Sequence, residues 1–222
     1  MAQRGNNRQV TFMAEGDYAV YLDKLKEYSA KYQVQAHVFV LMTNHVHLLL
    51  TPSPEKGDSQ LMQSLVLYYA LYINKTYRRT GTLWEGRYKS TLVDSVRYFL
   101  TVSRYIELNP VRANIVLHPA QYSWSSYRGN ALGGVIRFLT CHTCYLSLGR
   151  DAQARRSAYR ALFDEIIPSH TLVEIRDVTN KAWVLGDDRF KQQVTIQSGR
   201  RAEPLPSGGD RRSKTFKRST LD

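Results

Sequence analysis

Residues 42–50 read MTNHVHLLL and place two histidines, His45 and His47, one residue apart before an apolar run. Side chains of a β-strand alternate between its two faces, so both imidazoles would lie on one face and Val46 on the other. Such a pair is either a hydrogen-bonded part of the core or a pair of ligands for a metal ion. The spacing alone does not decide between these interpretations.

A tyrosine and an asparagine that could act together lie further along the chain, in a segment whose pattern predicts a helix ending before Pro110. Tyr105 and Asn109 are four residues apart, so they lie one above the other on the same helix face. Tyr98 shares that face, but no metal-ligating residue type follows it by four positions. Asn109 could also act only as the residue that ends the helix. The predicted core face, nearly opposite, consists of Val96, Phe99, Leu100, Ser103 and Ile106.

These side chains need a scaffold, and the hydrophobic periodicity predicts one. A strand within Met1–Phe12 would complete a β-α-β-β-α-β order, the ferredoxin-like split unit. We therefore expect an α+β fold, with an antiparallel sheet, helices on one face and an extra helix that carries Tyr105. The expected elements after the first strand are a helix at 17–32, a β-hairpin at 34–42 and 45–51, a helix at 59–79, a strand at 87–93 and the extra helix at 95–109.

The rest of the chain predicts two further regions. Residues 1–135 would form the first domain, and 136–198 a helical C-terminal extension, because 151–167 and parts of 170–198 have helical patterns. Residues 199–222 are basic and lack residues for a core, so they predict a disordered tail.

Three motifs occur in an order that resembles a known family: NHVH at 44–47, TLWEGRYKS at 82–90 and RYIELNPVRA at 104–113. The order resembles the single-tyrosine HUH transposases, in particular the REP-associated tyrosine transposases. The resemblance implies that His45 and His47 bind a divalent metal and that Asn109 is the third ligand. It also implies that Tyr105 attacks a phosphodiester of single-stranded DNA.

The implied function is that of a metal-dependent endonuclease and strand transferase acting on REP-type palindromic hairpins, through a 5′-phosphotyrosine intermediate. A phenol, with a pKa of about 10 in water, is a weak nucleophile that a nearby cation activates. Nitrogen and oxygen ligands with open positions suit Mg²⁺ or Mn²⁺. The resemblance is compatible with a monomer or a homodimer. The alternatives are a non-catalytic hairpin-binding protein of the same fold and a hydrolase that uses water.

The composition agrees with a nucleic-acid partner. Lys and Arg number 31 against 19 Asp and Glu, a formal net charge of +12, and such charge favours polyanions. Basic residues and rings near the motifs are candidates for binding phosphates and stacking on unpaired bases. The predicted DNA-binding residues are Arg4, Asn7, Arg8, Lys75, Arg78, Arg79, Trp84, Arg87, Tyr88, Lys89, Arg104 and Arg112.

Other classes of protein fit the sequence poorly. No apolar run reaches the roughly 18–20 residues of a membrane span, and the first residues lack a secretory signal pattern. We therefore expect a cytoplasmic protein associated with the bacterial nucleoid. The only two cysteines, Cys141 and Cys144, form a CHTC motif that hints at zinc or redox chemistry. No second cysteine or histidine pair follows that would close a tetrahedral zinc site.

Overall fold

The computed structural model describes residues 1–199 and 201–203. In this part of the chain the strands β1 (Ala2–Arg4), β2 (Val34–Met42) and β3 (His45–Pro52) form an antiparallel sheet in the order β1-β3-β2. Beyond β1 the sheet continues for one residue pair, since Ala2 and Lys89 exchange two backbone hydrogen bonds of 2.8 Å. The hairpin was predicted correctly, and the opening strand exists although it is short.

Helices surround this sheet. The long ones near the start agree with prediction to within three residues at each end, and the extension is helical as predicted. The helices are α1 (Glu15–Lys31), α2 (Gly57–Thr76), α3 (Ser95–Glu107), α4 (Asn109–Arg112), α5 (Tyr127–Asn130), α6 (Thr143–Leu146), α7 (Ala152–Ala161), α8 (Ser169–Lys181) and α9 (Asp188–Ser198).

The strand predicted at 87–93 is not formed. Its backbone groups are satisfied by two separate partners, because Lys89 pairs with Ala2 of β1 while Leu92 and Asp94 bond to Leu185 of the extension. A single ladder would need one continuous partner. The segment therefore links the sheet to the C-terminal extension.

The two faces of the sheet carry separate cores. Residues such as Phe39, Leu41 and Leu48 point to one face, where α1 and α2 pack with the fully buried Tyr21 and Tyr69. A second core of strand, α3 and extension residues covers the opposite face, which is the face of His45 and His47. Its members include Val38, Val40, Leu49, Phe99, Ile106, Tyr159 and Ile175.

Because the extension packs on α3 from behind, the predicted division of that helix into a core face and an opposite face is wrong. Val96 is 88% exposed, whereas every residue from Val102 to Glu107 is buried. The helix begins at Ser95, with the Asp94 carboxylate accepting from Val96 N–H at 3.1 Å, and ends at Glu107 rather than Asn109. Pro110 lies in the first turn of α4, where its missing N–H costs no helical hydrogen bond.

The buried Glu107 side chain joins three segments behind the helix. Its carboxylate accepts hydrogen bonds from Ser126 Oγ at 2.5 Å, Tyr159 Oη at 2.8 Å and Asn130 Nδ2 at 3.0 Å. Burial raises the pKa of Glu107 to about 7, against the opposing effect of these donors.

The remaining predictions about the C-terminus fall largely outside the described residues. Of the predicted tail, 200 and 204–222 are not described, and Ala202 packs against the extension, its carbonyl accepting from Val184 N–H at 3.0 Å. In the described part, no helix has both the length and the apolar character needed to cross a membrane.

Candidate active site

A cleft of about 400 Å³ opens where β1, β3, α3, α4 and α8 meet. It contains the side chains that were predicted from the sequence to bind a metal and to attack DNA, namely His45, His47, Asn109 and Tyr105. Its polar lining consists of Gln3, Arg4, His45, His47, Glu85, Arg87, Lys89, Tyr105, Asn109, Arg112, Arg176, Thr179 and Asn180.

His45 and His47 stand side by side on one face of β3, with ring centroids 5.3 Å apart and ring planes perpendicular. His45 Nδ1 lies 2.7 Å from Asn44 Oδ1. An amide oxygen can only accept, so this contact places the proton of the neutral His45 ring on Nδ1 and the lone pair on Nε2. Such an orienting acceptor is typical of metal-binding histidines.

The surroundings keep both imidazoles neutral at neutral pH. Burial, followed by the charge of Arg4, lowers the pKa of His45 to about 4, while contact with the Asn109 amide opposes the shift. Burial is also the main reason that the pKa of His47 lies well below its ordinary value. Neutral imidazoles are the form that binds metal ions.

Tyr105 approaches the histidines from α3. Its ring centroid lies 6.0 Å from that of His47, with the planes perpendicular, and only 8% of the residue is exposed. The guanidinium carbon of Arg112 lies 4.3 Å from the Tyr105 ring centre. Arg112 Nη2 also donates to the Tyr105 backbone carbonyl at 2.7 Å, so α4 fixes the guanidinium over the phenol.

The donor set fits a hard or borderline divalent cation. Asn109, at the start of α4, interacts with His45, so an amide oxygen adjoins the imidazole pair. Among the described residues, no cluster of three or more His, Cys, Asp or Glu side chains could hold a metal. The nitrogen and oxygen donors that adjoin one another in the cleft are those of His45, His47 and Asn109.

Two comparisons with known proteins found similarity. Residues 3–109 match the family described as transposase IS200 like. This part of the chain, slightly less than half of it, is thus similar to the IS200-like transposases. The matched segment begins in β1 and ends at Asn109, so it includes both histidines and Tyr105.

A solved structure resembles part of the chain, and curated proteins give no match. That structure is described as "Structure of the REP associates tyrosine transposase bound to a REP hairpin". The similarity covers 64% of this chain and 82% of the other, with 12% identity and a TM-score of 0.48.

Most of the predicted DNA-binding residues fall into two groups. Arg4, Arg87, Lys89 and Arg112 line the cleft. The others lie elsewhere: Asn7 and Arg8 form an exposed turn after β1, and Tyr88 is half-buried beside the first core. Lys75, Arg78 and Arg79 lie at the end of α2, away from the cleft lining.

For two residues the structure contradicts the predicted contact with DNA. Trp84 is 6% exposed, packs against Tyr69 and donates from Nε1 to the Val66 carbonyl at 3.2 Å, so its ring is part of the core. Arg104 is 7% exposed and its Nη2 donates to the Glu165 carbonyl, on the side of α3 that faces the extension. Trp84 is buried because it packs in the apolar core, and Arg104 is buried because it bonds to the extension.

The CHTC segment packs against α3. His142 stacks on Phe99 with centroids 4.0 Å apart, and its Nδ1 accepts from the Cys144 N–H at 3.1 Å. Cys144 Sγ lies 3.3 Å from the Ser95 carbonyl. No metal-holding cluster exists here among the described residues.

Sequence reasoning missed the contribution of the extension to the cleft. Arg176, Thr179 and Asn180 of α8 form one wall, and Glu85 adds an acid at the opposite rim. The available signal was the spacing of the three α8 residues, at i, i+3 and i+4, which gives a helix one polar stripe.

Proposed function

We propose that this chain is a metal-dependent single-stranded DNA endonuclease and strand transferase, acting on REP-type palindromic hairpins through a 5′-phosphotyrosine intermediate. The observation that supports this best is the 6.0 Å separation between the rings of His47 and Tyr105 in a cleft that also contains His45, Asn109 and Arg112. The family match supports transposition, and the motif resemblance supports REP hairpins in the bacterial nucleoid as the substrate.

Tyr105 is the nucleophile of the proposed reaction. Its phenol oxygen forms a bond to the phosphorus of a backbone phosphodiester, and the bond from phosphorus to the 3′ oxygen breaks. The phenol proton goes to water, and the departing 3′ oxygen takes up a proton to become a free hydroxyl. One phosphoester replaces another, so a second DNA 3′-hydroxyl can reverse the step and join a new strand.

Arg112 assists this attack electrostatically. Its guanidinium, 4.3 Å from the ring centre, favours negative charge on the phenol oxygen as the attack proceeds. The rim residues Arg4, Arg87 and Lys89 attract the phosphates of the incoming strand.

His45, His47 and Asn109 would hold Mg²⁺ or Mn²⁺. When bound, such an ion stabilises phenolate and polarises a phosphoryl oxygen. The chain's own contribution is to keep both imidazoles neutral by burial and to orient His45 through Asn44.

The decisive experiment incubates the protein and Mn²⁺ with labelled single strands carrying REP palindromes from the native locus. Wild type should cut the strand and form a denaturation-resistant protein–DNA adduct. Tyr105→Phe should do neither, while Tyr98→Phe, at the other phenol of α3, should retain both activities. An adduct formed by Tyr105→Phe would show that the nucleophile is misassigned.

One observation favours a second candidate function, hairpin binding without chemistry. Tyr105 is only 8% exposed and Arg112 covers its ring, which restricts the approach of a strand. A non-catalytic protein would bind hairpins equally well in EDTA and would form no adduct with any metal.

A further inference from the structure

The wall that α8 contributes to the cleft carries an unassigned polar stripe. Ile175, buried in the second core, anchors the helix against the sheet and α3. The adjacent Arg176, together with Thr179 and Asn180, thereby lines the cleft. Arg176 and Asn180 are exposed, so both are accessible to a ligand.

The guanidinium of Arg112, which also lines the cleft, is not fully hydrogen-bonded. Its Nη1 is buried and has no hydrogen-bond partner, although Nη2 bonds to the Tyr105 carbonyl. Leaving a buried charged donor without an acceptor is unfavourable. A ligand with oxygen acceptors would accept a hydrogen bond from Arg112 Nη1.

Arg112 and Arg176 also lie close enough for their positive charges to repel each other. Among the described residues, neither guanidinium forms an ion pair with an acid. Glu85 is the one acid of the described cleft lining, which also holds Arg4, Arg87 and Lys89. The cleft lining therefore carries an excess of positive charge.

We propose that Arg112 and Arg176, with Thr179 and Asn180, bind a backbone phosphate of the single strand next to the phosphate that Tyr105 attacks. This rests on the proposed function and deepens it. A phosphate between the two guanidiniums removes their repulsion, accepts from Arg112 Nη1 and takes hydrogen bonds from the α8 side chains. The extension thus positions the strand for the nucleophile of the transposase segment.

The test measures binding of a fluorescent dT20 strand in EDTA at several salt concentrations, so that no chemistry intervenes. For single strands, each neutralised phosphate contributes about 0.7 to the slope of log affinity against log salt. Arg176→Gln should lower the magnitude of that slope by about 0.7. The matched control is Lys181→Gln, an equal charge loss on the same helix at a residue that pairs with Asp177 and lies off the cleft lining.

A second readout is protection from phenylglyoxal in the wild-type protein, followed by mass spectrometry. The dT20 strand should protect Arg176 and leave Arg189, an exposed arginine of α9, reactive. An unchanged slope for Arg176→Gln, an equal change for Lys181→Gln, or an unprotected Arg176 would each overturn the proposal. Failure of wild type to form an adduct would instead contradict the proposed function, since these measurements require no cleavage.

Discussion

His47 and Tyr105 of one and the same chain lie with their ring centroids 6.0 Å apart and their planes perpendicular. Tyr105 is held there by the second core, by its helix and by Arg112. The histidine pair and the proposed nucleophile therefore meet within one chain.

Catalysis should accordingly occur in cis. His47→Ala retains the nucleophile and Tyr105→Phe retains the histidine pair, so a mixture would regain activity only if subunits exchanged the helix. We expect no adduct from the mixture at any ratio, measured by denaturing gel with labelled single strands. Recovery of adduct to a substantial fraction of wild type would indicate catalysis in trans.

Asn44 should matter for metal affinity although it is not a proposed ligand. Replacing Asn44 by Ala removes the acceptor 2.7 Å from His45 Nδ1, so the imidazole loses its fixed orientation and tautomer. Loss of such an orienting partner typically weakens metal binding roughly 10- to 100-fold. Titration calorimetry with Mn²⁺ measures the change, and Thr43→Ala, at the exposed neighbouring turn residue, is the control. Equal affinities of the two variants would contradict the assigned role.

Glu107 should make stability depend on pH. Its folded pKa of about 7 lies above its ordinary 4.5, so the folded state binds the proton more tightly than the unfolded state. The contribution is fully present below pH 4.5 and is lost as pH rises through 7, by about 3 kcal/mol at most. Glu107→Gln, which mimics the neutral acid, should remove this dependence.

Urea unfolding of wild type and Glu107→Gln at pH 5 and pH 8 measures the difference. His45, whose pKa is lowered, contributes the opposite trend between pH 4 and 6.5, but it is present in both proteins and cancels in the comparison. Parallel stability curves would show that Glu107 is charged in the fold throughout.

Trp84 should affect stability rather than DNA binding. Trp84→Ala empties a core position and should cost about 3–5 kcal/mol of unfolding free energy. Trp84→Phe keeps most of the packing, so it should fold and bind dT20 as wild type does in anisotropy titrations. A large loss of affinity in a stable Trp84→Phe protein would restore the stacking interpretation.

Much of the architecture was predictable because its signals are local. The short apolar, β-rich runs of β2 and β3, and the three-to-four-residue periodicity of α1 and α2, are signals that lie within the elements themselves. His45 and His47 share a face for the same reason. The relation of Tyr105 to these histidines required the family resemblance, since no local pattern states how α3 lies on the sheet.

The predictions that were wrong concern segments whose structure depends on contacts with residues distant in sequence. The segment at 87–93 divides its hydrogen bonds between Ala2 and Leu185, and α3 is buried on both sides because the extension covers it. Trp84 and Arg104 looked accessible only while these contacts were unknown. The place of α8 in the cleft belongs to the same class of long-range packing.

The wall contributed by α8 has a consequence for how such proteins diversify. The family segment ends at Asn109, yet the groove beside Tyr105 is completed some seventy residues later, at Asn180. Under the proposed phosphate contact, substitutions on α8 would alter the selectivity for a strand while His45, His47 and Tyr105 stay unchanged. A chimera joined after residue 135 would combine the proposed reactive residues of one parent with the α8 wall of the other.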